Sequence, residues 1–313
     1  MIVIVGPTAS GKTALGLEIA RRKNGEIISA DSRQVYRGLD CGTAKPRGFW
    51  QDRPPRGKTY LVEDIPYHLV DFLDPSERMD AARFVVMARE KIAEIQGRGK
   101  VPIVVGGTGL YVKALFDGLD PLPPKNPEIR EKLAEEAQDN GREWLHERLA
   151  KVDPEAASRI PAGNIQRVVR ALEVYELTGK PISSLWSGPK SDGGAAAYFG
   201  IQWERNALKE RIEQRCHSIL PGMIDEVRRL VPERYTGREP GFQSLGYPEV
   251  LKHLAGEMTL EEALRSMIRS TMDYAKRQAT WFRRQAAVRW IQAGSGKPQS
   301  WADEMEELSN ASS

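Results

Sequence analysis

The chain has 313 residues, 40% of them apolar and 28% charged, with 28 Gly and 20 Pro. At roughly 100 to 200 residues per domain this is one large or two modest globular domains, and collagen-like and disordered classes are excluded. Lys and Arg outnumber Asp and Glu by 46 to 43, too near balance for net charge alone to identify a nucleic-acid partner. Cys41 and Cys216 form no CxxC pair and sit in no Cys/His cluster, so neither a disulfide framework nor a structural zinc site is expected. No apolar run approaches the roughly 20 residues of a membrane span, and Met1 leads into Ile2 without a basic leader. A cytoplasmic protein without membrane association is expected.

The first β-branched run, residues 2–5, is followed at once by Gly6-Pro7-Thr8-Ala9-Ser10-Gly11-Lys12-Thr13 and then by a helical stretch over 14–22. This is a complete G-x-x-x-x-G-K-[ST] string in its proper strand-to-helix setting. Glycines let the backbone N–H groups turn toward phosphate oxygens, and the helix N-terminus adds a favourable dipole. Lys12 supplies a charge and Thr13 a hydroxyl suited to Mg²⁺. The string implies a di- or triphosphate ligand and leaves open whose phosphates those are.

The second run, 26–29, delivers Asp31 to the carboxyl edge of the sheet, where open α/β sheets bind ligands. There it could bind Mg²⁺, cap the next helix, or act as general base toward a nucleophile beside the phosphates. The third run, 68–72, carries Asp71, as open to a Walker-B role as to that of an ordinary strand-end residue. The fourth, 101–105, ends in Gly106-Gly107-Thr108-Gly109-Leu110-Tyr111. Its glycines permit close approach by a ligand or a tight turn opening a helix, and Thr108 offers a hydroxyl. All these runs are almost continuously apolar and alternate with helical periodicity, which predicts parallel strands covered on both faces. The expected fold is α/β, a P-loop NTPase-like doubly wound parallel sheet with a helical insertion domain.

After residue 119 the texture changes. Pro121, Pro123, Pro124 and Pro127 form a rigid entry, helices are predicted over 129–149 and 164–177, and Gly179 suits a helix end. The strand pattern resumes over 198–203, followed by helices over 207–219, 224–230 and 260–287 and a late strand over 288–292. Between Arg265 and Arg289 seven basic residues face one acidic residue. Arg265, Arg269, Lys276 and Arg283 share an outward stripe, opposite Leu264, Met267, Ile268, Met272, Ala275, Ala279 and Phe282. The stripe suits phosphate contact or a solvated charged face, and Trp281 suits base stacking or core packing. The expected organisation is an α/β core over 1–119, the insertion over 120–196, core completion with basic helices over 197–292, and a disordered acidic tail over 293–313.

Taken in order, several blocks resemble the bacterial tRNA dimethylallyltransferase (IPP transferase) family. They are the phosphate loop, Asp31-Ser32-Arg33-Gln34-Val35-Tyr36, Gly42-Thr43-Ala44-Lys45-Pro46, the string from Gly106 to Tyr111, and Gln166-Arg167-Val168-Val169-Arg170-Ala171-Leu172-Glu173. Arg211-Ile212-Glu213-Gln214-Arg215, Gly246-Tyr247-Pro248-Glu249 and Tyr274-Ala275-Lys276-Arg277-Gln278 continue the series.

The resemblance implies transfer of a dimethylallyl group from dimethylallyl diphosphate to N6 of the adenosine 3′-adjacent to the anticodon in tRNA, with Mg²⁺ as cofactor. It implies catalytic roles for Lys12, Asp31 and Thr108, and diphosphate binding by the loop from Gly6 and Pro7 through Thr8, Ala9, Ser10 and Gly11 to Lys12 and Thr13, with Arg211 and Arg215. Thr13 would be the metal ligand. The tRNA anticodon stem-loop would be met by Asp31, Ser32, Arg33, Gln34, Thr108, Arg130, Gln166, Arg167, Val168, Val169, Arg170, Lys276, Arg277 and Arg283. The target base would flip out of its stack to reach the loop. A monomer is expected.

Read from the residues alone, Arg167 and Arg170 could instead pair with Glu173 or Glu176, and Arg211 and Arg215 could lie on a solvated helix face. The chain departs from the family in a longer Pro/Arg-rich segment over 47–67 and in Met272 where an arginine is usual, and the basic helix is not followed by the Cys/His-rich extension of eukaryotic relatives. Rival readings are an adenylate dimethylallyltransferase acting on free AMP, ADP or ATP, a nucleotide kinase, and an RNA-binding switch that senses nucleotide. The basic stripe argues against the first, since a mononucleotide needs no long electrostatic footprint.

Overall fold

Ile2–Val5 forms β1, a run of β-branched residues inside an eight-stranded sheet that runs, edge to edge, through residues 49–52, 58–62, 65–68, 25–29, 101–106, 2–5, 197–202 and 288–292. The computed structural model describes residues 1–54, 57–186, 196–285, 288–294 and 296–310, so much of the Ser/Gly-rich stretch after the insertion helices lies outside the described residues. The chain divides into two compact units, Met1–Phe116 with Gly193–Ser313, and Asp117–Asp192.

In the first unit β1 is followed by α1 (Lys12–Arg22), β2 (Gly25–Ser29), β3 (Phe49–Asp52), β4 (Lys58–Val62), β5 (Ile65–His68), α2 (Ala81–Gly97), β6 (Val101–Gly106) and α3 (Gly109–Asp117). β1 pairs in parallel with β6, and β2 lies between β5 and β6, also in parallel. The third predicted run is displaced. The strand ends at His68 because Leu69 and Asp71 take left-handed conformations, φ 58° and 54°, that carry the chain out of the sheet. The long 47–67 segment forms the antiparallel β3–β4–β5 edge, in which Tyr60, Leu61 and Val62 supply the buried side chains.

The second unit consists of α4 (Pro127–Asn140), α5 (Arg142–Val152), α6 (Pro154–Arg159) and α7 (Ile165–Thr178). The single helix expected over 129–149 is broken at Gly141, whose φ of 90° ends α4 and opens α5. Leu133, Leu145, Leu149, Val168, Leu172 and Val174 form its core.

The first unit resumes with β7 (Ala197–Gln202), α8 (Arg205–Leu230), α9 (Tyr247–Leu254), α10 (Leu260–Arg283), β8 (Val288–Gln292) and α11 (Pro298–Asn310). Where two helices were expected over 207–230 there is one. Ile212, Cys216, Leu220, Met223 and Val227 form an unbroken buried stripe that carries it through Pro221. α10 opens with a Thr259–Glu262 capping box. The acidic tail is not disordered over its described length: it forms α11, anchored by buried Trp301, Ala302 and Met305.

Alternate β1 residues point to opposite cores, as a doubly wound sheet requires. Ile4 packs with Leu15, Ile19, Trp301 and Met305 from α1 and α11, whereas Val3 and Val5 pack with Phe84, Ala88, Tyr111 and Leu115 from α2 and α3. The protein has an α/β fold with a mostly parallel sheet.

Candidate active site at the phosphate loop

The loop from Gly6 to Lys12 turns between β1 and α1 at the carboxyl end of the sheet. Its backbone enters the left-handed region at Ala9 (φ 61°) and Gly11 (φ 90°), the kind of turn that gathers N–H groups into an anion-binding concavity. Three neighbouring side chains hold it: Arg211 Nε donates to Ala9 O at 2.9 Å, the Trp203 indole N–H to Ser10 O at 3.0 Å, and Arg215 Nη1 to Thr8 Oγ1 at 2.9 Å. Arg211 also stacks 4.3 Å above the Trp203 ring. Arg211 and Arg215 are therefore loop-binding residues, and the solvated-face alternative does not hold.

Gln278 of α10 completes the grip. Its side-chain carbonyl accepts Thr8 N–H at 2.8 Å while its amide donates to Gly107 O at 2.8 Å. A Cβ on Gly107 would lie 2.2 Å from Gln278 Nε2, so the close approach that this glycine permits is that of the protein's own glutamine. Trp281, 39% exposed, packs one turn further along against Gly109.

Ser10, Gly11, Lys12, Thr13, Asp31 and Gln34 line a cavity of about 130 Å³ with Arg215, Tyr67, Thr43, Ala44, Tyr274 and Gln278. Its charged lining is Lys12, Arg215 and Asp31. Lys12 Nζ donates to Pro7 O at 2.6 Å. Burial, opposed by the charge of Asp31 and reinforced by that of Arg215, lowers the Lys12 ammonium to about 8. A polyanion placed among Lys12, Arg215 and the loop amides would supply the missing counter-charge.

Asp31 accepts the N–H groups of Arg33 at 2.8 Å and Gln34 at 3.3 Å through Oδ1. It thus caps a turn, since no helix follows β2 as expected, and it also faces the cavity. Gln34 is buried, donating to Ala44 O at 3.1 Å, and Arg33 Nη1 donates to Pro240 O at 3.1 Å. Thr108 Oγ1 accepts Ser32 N–H at 3.0 Å. The hydroxyl of Tyr274, which also lines the cavity, is pushed up to about 12 by burial and by the charge of Asp31. Asp71 does not line the cavity: it pairs with Lys45 at 2.5 Å and accepts the Trp50 indole N–H at 2.8 Å.

Among the described residues no group of three or more His, Cys, Asp or Glu side chains could hold a metal. The Thr13 hydroxyl and the Asp31 carboxylate open on one cavity as hard oxygen donors. Such a pair suits a Mg²⁺ shared with a ligand's phosphates better than one caged by protein alone.

Lys276, Arg277 and Arg283 are exposed on α10, as are Arg265 and Arg269, while Met267, Thr271, Ala275, Gln278 and Phe282 form the buried side. In the second unit Gln166 and Arg167 are exposed. Val168 and Val169 are buried in that unit's core and present no side chain to a partner. Arg170 is committed to Glu173 at 2.7 Å and Pro123 O at 2.6 Å, and Arg130 lies 3.8 Å from the same fully buried Glu173. For Arg170, pairing on its own helix is what the structure contains.

Gln278, Tyr274, Tyr67 and Thr43 are site residues for which the sequence reading had no role. For Gln278 a signal existed: an amide at a buried position of a helix must find partners, and its are the two loops of the site.

Fold and site together define a phosphate-loop α/β protein whose cavity sets two cations against one carboxylate, the layout of an enzyme for a phosphorylated substrate. The IPP transferase family model matches residues 34–285 and an isopentenyl transferase model matches residues 1–49. The chain is 42% identical over 298 residues to the tRNA dimethylallyltransferase of Carboxydothermus hydrogenoformans, covering 94% of this chain and 92% of that protein. The crystal structure of the tRNA isopentenylpyrophosphate transferase of Bacillus halodurans superposes with a TM-score of 0.65 at 36% identity, over 99% of this chain and 98% of that one. A eukaryotic dimethylallyltransferase crystallised acting on tRNA gives 0.74 at 27% identity, over 93% of this chain and 73% of that one. The chain belongs to the IPP transferase family and is a prenyltransferase.

Proposed function

We propose that the protein transfers a dimethylallyl group from dimethylallyl diphosphate to N6 of the adenosine 3′-adjacent to the anticodon of tRNA, releasing diphosphate. The observation that carries this reading is the single cavity shared by Lys12, Arg215 and Asp31. The allylic C–O bond breaks, a bond from the allylic carbon to N6 forms, and the N6 proton passes to the Asp31 carboxylate. Lys12, Arg215 and the amides of the loop stabilise charge as it collects on the departing diphosphate. Thr13 would hold Mg²⁺, which when bound would neutralise part of that charge. An allylic carbon tolerates positive charge, so leaving-group stabilisation and alignment carry most of the catalysis. The exocyclic amine is a weak nucleophile with a delocalised lone pair, and a carboxylate held in place by Arg33 N–H and Gln34 N–H suits its deprotonation. Thr108, tied to Ser32, orients the reacting groups.

The exposed cations Lys276, Arg277 and Arg283 on α10, with Gln166 and Arg167 on α7, grip the anticodon stem-loop. Arg130 and Arg170 serve by holding α4 and α7 together through Glu173. The protein works as a cytoplasmic monomer; no described helix is long and apolar enough to cross a membrane. Nucleoside analysis of unmodified tRNA after incubation with protein, dimethylallyl diphosphate and Mg²⁺ tests this. N6-dimethylallyladenosine at the position after the anticodon is the expected product, and an unchanged nucleoside profile would refute the reading.

A further inference from the structure

α11 lies in the segment expected to be disordered and beyond the residues matched by the family model, yet it reaches the phosphate loop. Trp301 is 5% exposed and its ring lies on the last glycine of the loop: a Cβ on Gly11 would sit 2.8 Å from Cζ3 and 3.1 Å from Cη2. The same ring meets Trp203 edge to face, 6.0 Å between centroids, and Trp203 holds Ser10 O. Arg211 stacks on the other ring of this pair and holds Ala9 O. Three consecutive loop residues, Ala9, Ser10 and Gly11, are thus fixed by Arg211, Trp203 and Trp301, each from a different element. C=O and N–H point in opposite directions within a peptide plane. Pinning Ser10 O to the indole of Trp203 therefore turns Gly11 N–H the opposite way.

Around Trp301, α11 is also fastened to the C-terminal end of α1, where Arg22 donates to Gln299 O at 3.2 Å. Asp303 pairs with Arg22 at 2.6 Å, Glu306 with Lys23 at 2.7 Å, and Met305 is buried in the shared core. α11 is thus held on the helix whose first residues are Lys12 and Thr13, and the Trp301 ring reaches from it to Gly11, beside the site of the phosphates.

We propose that Trp301 is a positioning residue for the transferase reaction: its ring, through Gly11 and Trp203, sets the phosphate loop in the geometry that binds the diphosphate of the donor. This rests on the assignment of the donor diphosphate to the loop. Without the ring, Gly11 regains the conformational freedom that the packing removes, and the loop amides are no longer aligned before the ligand arrives.

The test is calorimetric binding of inorganic diphosphate with Mg²⁺ to the full chain, compared across Trp301→Ala, Trp301→Phe and Met305→Ala, with steady-state kinetics in parallel. Trp301→Ala should weaken diphosphate binding and raise KM for the donor by about tenfold or more. Its dissociation constant for tRNA should stay within about twofold. Trp301→Phe should recover most of the loss. Met305→Ala, which removes α11 packing away from the loop, should lower the melting temperature while leaving diphosphate affinity within about twofold. Unchanged affinity in Trp301→Ala, or an equal loss in Met305→Ala, would overturn the proposal. Absence of diphosphate binding by the unaltered protein would instead overturn the assignment of the loop to the donor. If Trp301→Ala does not fold, Trp301→Leu, which keeps apolar bulk but removes the flat ring on Gly11, takes its place: weaker diphosphate binding than in Met305→Ala at matched melting temperature is expected, and equal binding would overturn the proposal.

Discussion

Thr108 Oγ1 accepts the backbone N–H of Ser32 at 3.0 Å, which ties the turn after β6 to the turn after β2, next to Asp31. Thr108→Val removes the acceptor and keeps the shape. A partly buried N–H without its partner costs about 1–3 kcal/mol. The expected result is a lower melting temperature together with a fall in kcat that exceeds any change in donor KM, since the displaced group is Asp31 and not the phosphate loop. Thr108→Ser keeps the oxygen and should retain kcat within about threefold. Equal kcat in Val and Ser variants would contradict this role.

Gln278 spans Thr8 and Gly107 with both ends of its amide. Gln278→Leu leaves a loop N–H and a strand-end carbonyl unpaired, a loss of about 2 kcal/mol or more. The measurement is donor KM beside urea unfolding. KM should rise, because Thr8 N–H belongs to the loop proposed to bind the diphosphate, and the protein should be less stable. A stability loss with unchanged KM would make Gln278 a purely structural bridge.

The sequence and the structure agree where local chemistry alone decides. Four β-branched residues before G-x-x-x-x-G-K-T can hardly be other than a buried strand feeding a phosphate loop, and Asp31 follows from the same edge. Contacts brought from afar were not legible. Nothing near Gly11 says that Trp301 covers it, and nothing near Asp71 says that Lys45 and Trp50 claim its carboxylate. The tail reads as acidic and polar, but its apolar residues Trp301, Ala302 and Met305 fall on one helical face and Asp303 and Glu306 find Arg22 and Lys23, which only the folded α1 brings within reach. Val168 and Val169 stand between polar neighbours in the string from Gln166 to Glu173, yet as an apolar pair on a helix they belong to its core.

Lys12 gives the site a pH dependence. In the free protein its ammonium is lowered to about 8, chiefly by burial. A bound diphosphate favours the charged form, so above pH 8 binding must take up a proton, and affinity should fall as pH rises through that value. Calorimetry of diphosphate binding at pH 8.5 in buffers of different ionisation enthalpy should show more proton uptake than in Lys12→Arg, in which the ligand's own protons are released alike, the difference vanishing toward pH 6 (about two units below the midpoint). The same proton balance in both proteins at pH 8.5 would contradict it.

Glu26, buried at the foot of β2, is linked to His68 at 2.7 Å, Arg98 at 2.5 Å and Lys100 at 3.2 Å. Burial alone would raise its carboxyl, but hydrogen bonds from His68 and Arg98 outweigh it and bring the group from 4.5 to about 2. A depressed acid stabilises the fold fully above its unfolded value and loses that contribution as pH falls from 4.5 toward 2. Glu26→Gln should cost about 3 kcal/mol at neutral pH and flatten the acid limb of the stability curve. Urea unfolding at pH 7 and at pH 3 reads both. A loss of the same size at the two pH values would show that the carboxylate's charge is not the source.

The central claim is that Asp31 and the phosphate loop serve prenyl transfer to tRNA. The most direct measurement follows labelled dimethylallyl from its diphosphate to unmodified tRNA, AMP and ATP in parallel, with Asp31→Ala and Lys12→Ala beside the unaltered protein. Label in tRNA alone, lowered about a hundredfold or more by each substitution, is the expected result. Label in a free nucleotide, in no acceptor, or in tRNA undiminished by Asp31→Ala would contradict the account.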